Sequence, residues 1–324
     1  MALWLIRRLL QALLVVLVMT GIVFIAVHVI GNPVEVLISP EADQIERDRV
    51  IREFGLDQPL WRQYLAFLQG AAQGELGKSF VFGESAMKVI LERLPATAEL
   101  AVAALLISLV IGLPAGLYAG LRPDSWGSRL LMGASILGFS LPTFWVGLLF
   151  IMIFAVQLGW LPSTGRGETV DVLGVPWSFL TADGLRHLVL PAVTLSLFKI
   201  SLVMRLTRAG VREVLPQEYI KFARAKGLRE SRVVGVHVLR NILIPIVTVV
   251  GLEFASLIAF SVVTETIFAW PGMGKLIIDS INRLDRPLVV AYLMLIVLVF
   301  VTINLVVDLL YTVLDPRVRV REGS

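Results

Sequence analysis

Five apolar runs, each about as long as a bilayer is thick, limit what this chain can fold into. Residues 9–30, 100–121, 131–156, 241–264 and 288–307 each hold at most one charge, and a sixth, shorter run at 188–204 carries Lys199. A helix needs ~20 mostly apolar residues to cross the hydrocarbon core. Backbone in lipid must satisfy its own hydrogen bonds, so these runs read as helices despite many Val and Ile that would suit strands in water. The expected fold is an all-α membrane protein with six transmembrane helices. Pro114, Pro142, Pro191 and Pro245 mark kinks or helix starts within it. The composition, 57% hydrophobic against 17% charged with a mean hydropathy of +0.83, excludes a disordered chain and argues against a water-soluble enzyme.

The basic residues set the expected orientation, because positively charged short loops stay in the cytoplasm. With the N-terminus inside, sixteen Lys and Arg fall in inner segments, nine of them between 205 and 240, against five in short outer loops. The formal charge of +4 is therefore mostly a topology signal, and nucleic acid is not an expected partner. Arg7 and Arg8 ahead of the first run resemble a secretory signal. Its 22 residues exceed the usual apolar core of about 7–15, so an uncleaved anchor is expected.

The chain has no cysteine, and His28, His187 and His237 are scattered, so no metal site and no catalytic set are expected. In the long outer segment Ser39 suits a helix cap ahead of Pro40 and Glu41, with Gly55 as the stop. This segment is either a small cap on the spans or a docking surface. Gly77-Lys78-Ser79 looks like the end of a phosphate-binding loop, but Ala72 stands where the motif needs glycine. Any ATP used with this protein must bind another chain.

The inner loop 205–240 carries the most information. Pro216 opens a short helix there, Glu218 sits near its positive end, Arg224 and Lys226 near its negative end, and Gly227 suits a left-handed stop. Tyr219, Ile220, Phe222 and Ala223 give an apolar side, while Ala223 and Ala225 leave room for close approach, and Ser231 suits the cap of the next helix. Physics alone leaves two readings open: a helix resting on anionic lipid, or a helix docked into a protein.

Here the sequence resembles a known family. Glu218 to Leu228, then His237-x-Leu239-Arg240-Asn241 and Ile242-Leu243-Ile244-Pro245, are similar to the cytoplasmic coupling signature, the EAA loop, of ABC importer permeases in the peptide-transporter form. Gly55-Leu56-Asp57-Gln58-Pro59-Leu60, Phe139 to Trp145, Leu158 to Pro162, Phe268 to Gly274 and Asn304 to Asp308 match the same family in order. Two positions depart from it. Lys221, Phe222 and Ala223 stand where the general signature has Glu-Ala-Ala, and Ile30-Gly31-Asn32-Pro33 replaces Pro-Gly-Asp-Pro.

The resemblance implies a type I, MetI-like importer permease in a bacterial inner membrane, multi-pass, with both termini cytoplasmic. It divides the chain into an anchor span at 1–30, an extracytoplasmic segment at 31–95, the transmembrane domain at 96–314 and a tail at 315–324. The implied partners are a homologous second permease subunit or a second copy, two cytoplasmic ATPases, an extracytoplasmic binding protein and the lipid bilayer. ATP and Mg would reside on the ATPases, so no cofactor is expected in this chain. The implied coupling residues are Glu218, Tyr219, Phe222, Ala223, Ala225 and Gly227, and Trp270, Gly272 and Lys275 are docking candidates for the binding protein. Di- or oligopeptides are the implied cargo, with glutathione and nickel chelates sharing the architecture.

Charges inside the spans complete the reading. Lys199 and Asp308, near inner ends, suit snorkelling or pairing. Glu253 falls mid-span, where a lone carboxylate is costly, so it either makes a structural pair or lines a pathway. An ion-driven secondary transporter is the alternative function, and a membrane-embedded enzyme a third. Inverted repeats or intramembrane ion ligands would favour the former.

Overall fold

The structure, a computed structural model, describes residues 2–30, 44–53 and 57–314 of the chain. Ser39, Pro40, Glu41, Gly55, the 31–33 stretch and the three arginines of the tail lie outside these residues, as does the side chain of Asp308. Among the described residues four helices are long and apolar enough to cross a membrane, or six if each of two bent pairs counts as one span. The chain divides into two compact units, one comprising Met1–Arg93 with Leu276–Val301, the other Leu94–Lys275 with Thr302–Ser324.

In the first unit, helix α1 (Ala2–Ile30) is continuous through the first apolar run. After α2 (Gln44–Glu53), α3 (Leu60–Gln73) returns against α1. The Tyr64 hydroxyl donates to the Leu17 carbonyl at 3.0 Å and lies 2.8 Å from Thr20 Oγ1, while Phe24 sits 5.3 Å from the Tyr64 ring and 5.9 Å from that of Phe67. Gly74, at φ 78°, ends α3 in the left-handed conformation.

The Gly77-Lys78-Ser79 stretch binds a carboxylate of the chain itself. Ser79 Oγ donates to buried Asp285 Oδ2, and the backbone N–H groups of Phe80 and Val81 donate to the same carboxylate at 3.1 and 3.3 Å. Donors that would face a phosphate in a nucleotide loop are thus taken by an aspartate immediately ahead of the last helix.

The part of α4 (Ala86–Leu121) that belongs to the second unit, from Leu94 on, packs on the 33-residue α7 (Ala182–Val214) through glycines at every fourth position. A Cβ on Gly112 would lie 2.9 Å from Val203 Cβ, one on Gly116 2.6 Å from Thr207 Cβ, and one on Gly120 2.6 Å from Val211 Cβ. Only hydrogen fits there, the small-residue packing that brings helices together where lipid gives no hydrophobic drive.

The third apolar run is not one straight span. α5 (Trp126–Ser140) and the segment from α6 (Thr143–Phe150) onward meet at 103°, because Leu141 is extended and Pro142, which has no N–H to continue a helix, caps α6. A π-helical turn (Ile151–Gln157) follows. Beyond it, β1 (Val170–Val172) and β2 (Val175–Trp177) form an antiparallel hairpin. The chain then runs through α7 to α8 (Glu218–Ala225), α9 (Glu230–Arg232), a second π-helical turn (Val233–Val238) and α10 (Leu239–Phe260), bent by 47° near Pro245. The described residues end with α11 (Val262–Ile267), α12 (Met273–Asn282) and α13 (Arg286–Leu314).

Candidate functional site

Helix α8 is short, and its ends are fixed by its own sequence. At the C-terminus Gly227, at φ 74°, donates its N–H to the Arg224 carbonyl at 2.9 Å, and Leu228 donates to that of Ala223 at 3.4 Å. That pair of bonds is the Schellman stop. Arg224 then forks onto Glu230, with Nε 3.1 Å from Oε2 and Nη2 2.5 Å from Oε1. The hydrogen bond from Arg224 holds the Glu230 carboxyl below its ordinary pKa and raises that of the guanidinium. Helix α9 accordingly starts at Glu230 with Arg229 as its cap, and Ser231 lies inside it. The carboxylate one residue earlier already has a cation to hold it, so the expected cap is displaced.

The expected apolar side divides into two faces. Ile220 is fully buried and Ala223 nearly so, packed in one cluster with Val203 and Val211 of α7, Val233 and Val238 of the π-helical turn, and Ile242, Ile246 and Val250 of α10. Tyr219 and Phe222 point away, 42% and 61% exposed, with Lys226 Nζ 4.5 Å from the centre of the Phe222 ring. Glu218, Ala225 and Gly227 are exposed as well, and Glu218 pairs with Lys221 at 2.8 Å. The room expected beside Ala223 is therefore filled by the chain's own spans, while Ala225 stays open.

Higher along the same two helices, Lys199 of α7 donates to Glu253 Oε2 and, at 2.9 Å, to Ser256 Oγ of α10. The side chains are 13% and 28% exposed. Glu253, expected either to pair or to line a pathway, makes an ion pair that neutralises both charges and ties α7 to α10.

A second polar knot lies beyond α10. Buried Glu265 accepts from Thr97 Oγ1 and Ser261 Oγ, each at 2.8 Å, and from the Lys275 backbone N–H at 3.0 Å. Burial raises its carboxyl above the ordinary pKa, against the opposing pull of these hydrogen bonds. A Cβ on Gly272 would collide with the carboxyl, and one on Gly274 would lie 2.6 Å from Val262 Cα and 3.0 Å from Glu265 Oε2. Trp270 is buried, and its indole N–H donates to the Ala96 carbonyl at 2.9 Å. Of the docking candidates, Trp270 and Gly272 are thus inside the chain and Lys275 is half-buried.

A related clamp lies beside it. Arg166 Nη2 donates to Glu99 Oε2 at 2.6 Å and to the Pro176 carbonyl at 2.7 Å, while Glu99 Oε1 accepts from Ser178 Oγ and the Phe179 N–H at 2.7 and 2.6 Å.

Glu99, Glu265 and the glycine stripe are structural determinants beyond the sequence expectations. Glu99 was legible as a charge abutting an apolar run, and Gly112, Gly116 and Gly120 as a four-residue spacing. Among the described residues no group of three or more His, Cys, Asp or Glu is placed to hold a metal ion.

The family model described as "binding-protein-dependent transport system inner membrane component" matches residues 112–320, and that of the N-terminal part of such membrane components matches residues 1–101. The chain is 41% identical over 302 residues to the di/tripeptide transport system permease protein DppB of Pseudomonas aeruginosa (strain UCBPP-PA14), covering 89% of this chain and 90% of the relative. It is 37% identical over 317 residues to the glutathione transport system permease protein GsiC of Escherichia coli (strain K12), covering 98% of each. The inward-facing MetNI methionine ABC transporter superposes with a TM-score of 0.55 at 18% identity, over 71% of this chain and 97% of that one. At that identity the likeness speaks for the fold alone.

Proposed function

The chain belongs to the family of binding-protein-dependent transport system inner membrane components and is a permease subunit of a peptide-type ABC importer, and from that premise we propose that α8 is its coupling element. The observation that carries this reading is the division of α8 into two faces. Ile220 and Ala223 are built into the cluster that also holds α7 and α10, while Tyr219 and Phe222 stand exposed on the opposite side. An exposed aromatic pair on a rigidly mounted helix suits a groove on a cytoplasmic ATPase. Each ring contributes on the order of 1–3 kcal/mol when fully buried.

The mechanism follows from the mounting. ATPase closure moves α8, and the shared apolar core carries that movement into α7 and α10 as one body, because packed cores switch between discrete arrangements and do not deform smoothly. The Lys199–Glu253 pair keeps the two helices together. Relative motion of spans then alternates inward and outward access. Glu253 sits beside the route as a member of this tie, and its remaining exposure leaves it able to line the pathway as well.

The chain is multi-pass in the inner membrane, and the positive-inside count supports cytoplasmic termini and a cytoplasmic α8. A second permease subunit, two ATPases carrying ATP and Mg, and an extracytoplasmic binding protein complete the importer. Di- and tripeptides or glutathione are the cargo class, after the relatives' names. Trp270, Gly272 and Lys275 shape the outer surface from beneath through the Glu265 knot.

Uptake of a labelled dipeptide and of labelled glutathione into proteoliposomes holding the assembled importer tests this. Uptake that needs enclosed ATP and added binding protein, and survives an uncoupler, supports the reading. Uptake that follows an ion gradient without ATP overturns it.

A further inference from the structure

Helix α3 meets α1 deeper than a cap resting on the outer ends of the spans would. The part of α1 apolar enough to span a membrane runs from Ile6 to Ile25. Tyr64 of α3 donates its hydroxyl to the Leu17 carbonyl, 2.8 Å from Thr20 Oγ1, and Thr20 donates to the same carbonyl at 2.8 Å. Thr20 and Leu17 stand five and eight residues before Ile25. At ~1.5 Å per residue that is about 8 and 12 Å along the helix axis. The positive-inside count makes Ile25 the outer end, so the Tyr64 hydroxyl lies close to the depth of about 5–10 Å at which interfacial helices bury their apolar side. Both hydroxyls are hydrogen-bonded, which is what lipid demands of a polar group.

The pattern of α3 suits that depth. Arg62, Gln69 and Gln73, spaced by seven and four, fall on one side of the helix and are exposed. Trp61, Leu65, Leu68 and Ala72, spaced by four, three and four, form another side, next to the Tyr64 and Phe67 rings that meet Phe24 of α1. Trp61 and Leu65 are nonetheless 59% and 55% exposed. The Arg62 guanidinium folds back over the Trp61 ring at 5.2 Å and donates to Gln58 Oε1 at 3.1 Å, as a long cation does when its stem lies on apolar surface.

We propose that α3 is an interfacial membrane helix, lying in the outer leaflet against α1 with Trp61 and Leu65 in lipid and Gln69 and Gln73 in water. The proposal rests on the permease reading above, which sets the side of the membrane. Lipid is the occupant because α3 continues a surface that already faces it: within the span of α1, Leu14, Leu17, Val18 and Ile22 are exposed as well. A soluble partner on the outer side would have to reach below the end of that span to cover Trp61, one turn from Tyr64. The outer segment thus grips the bilayer beside the anchor span.

The test uses the absence of cysteine from this chain. Trp61→Cys, Leu65→Cys and Gln69→Cys, one at a time, are spin-labelled in the subunit, which is assembled with its partners in nanodiscs without binding protein. Collision with oxygen, which concentrates in lipid, is compared with collision with a water-soluble nickel chelate. The expected oxygen-to-nickel ratio is several-fold higher at 61 and 65 than at 69. Equal ratios at all three positions, with free access of the chelate, put α3 in water and overturn the proposal. Labels at 61 and 65 that neither reagent reaches put a protein surface there and overturn it too. Either result leaves the permease reading standing, since that reading fails separately, through uptake that needs no ATP.

Discussion

Lys199 and Glu253 pair between two of the apolar helices, α7 and α10, each on a different side of the loop that carries α8. Removing one partner leaves the other charge uncompensated, at a cost of about 3–5 kcal/mol in a buried pair and less here, where both groups keep some exposure. Glu253→Ala and Lys199→Met are each expected to lower the thermal stability of the purified complex, and the double variant to recover most of the loss. A double-mutant cycle on Tm measures this, and additive losses would contradict the pairing. Glu253→Gln with intact assembly separates the second role: reduced transport would place this group on the pathway, and normal transport would leave it a tie only.

The contact between α4 and α7 depends on Gly116. A methyl there would meet Thr207 Cβ at 2.6 Å and the Met204 carbonyl oxygen at 2.5 Å. Gly116→Ala is expected to destabilise the subunit by about 1–3 kcal/mol, and Gly116→Leu to abolish folded protein. Fluorescence-detected size exclusion in detergent reads both. A Gly116→Leu subunit of normal yield and elution would contradict this helix packing.

The Glu265 knot has a pH signature. Burial raises the folded carboxyl above its ordinary value, so the native state holds that proton more tightly than the unfolded chain. Its stabilising contribution is fully present below the ordinary carboxylate pKa and is lost as pH rises through the raised value. Hydrogen exchange of the Thr264–Lys275 segment between pH 4 and 8 is expected to quicken, relative to intrinsic rates, toward higher pH. Glu265→Gln, with an amide facing the Lys275 N–H, is expected to be less protected throughout but without that slope. An unchanged slope would contradict the assignment.

The spans were legible because lipid sets their length, and the loop helix because Pro216, Glu218 and Gly227 mark its ends. What the sequence did not show depends on how helices are turned against one another. Nothing local to residues 131–156 reveals a 103° bend, though Pro142 marks the place. The partner of Glu253 is 54 residues away, and which of Tyr219, Ile220, Phe222 and Ala223 face inward is set by α7 and α10. Trp270 and Gly272 match a family pattern, and nothing in that pattern shows that Trp270 is buried and that Gly272 lies against the Glu265 carboxyl.

The central claim is that α8 presents Tyr219 and Phe222 to an ATPase. Its most direct test is a mild-detergent pull-down of the full-length chain from its native membrane, comparing wild type with Tyr219→Ala/Phe222→Ala, with every co-purifying protein identified by mass spectrometry. The account predicts an ATPase and a permease partner with wild type, and the partner but no ATPase with the variant, because Ile220 and Ala223 still hold α8 in place. An ATPase that stays with the variant, or none with folded wild type, would contradict it.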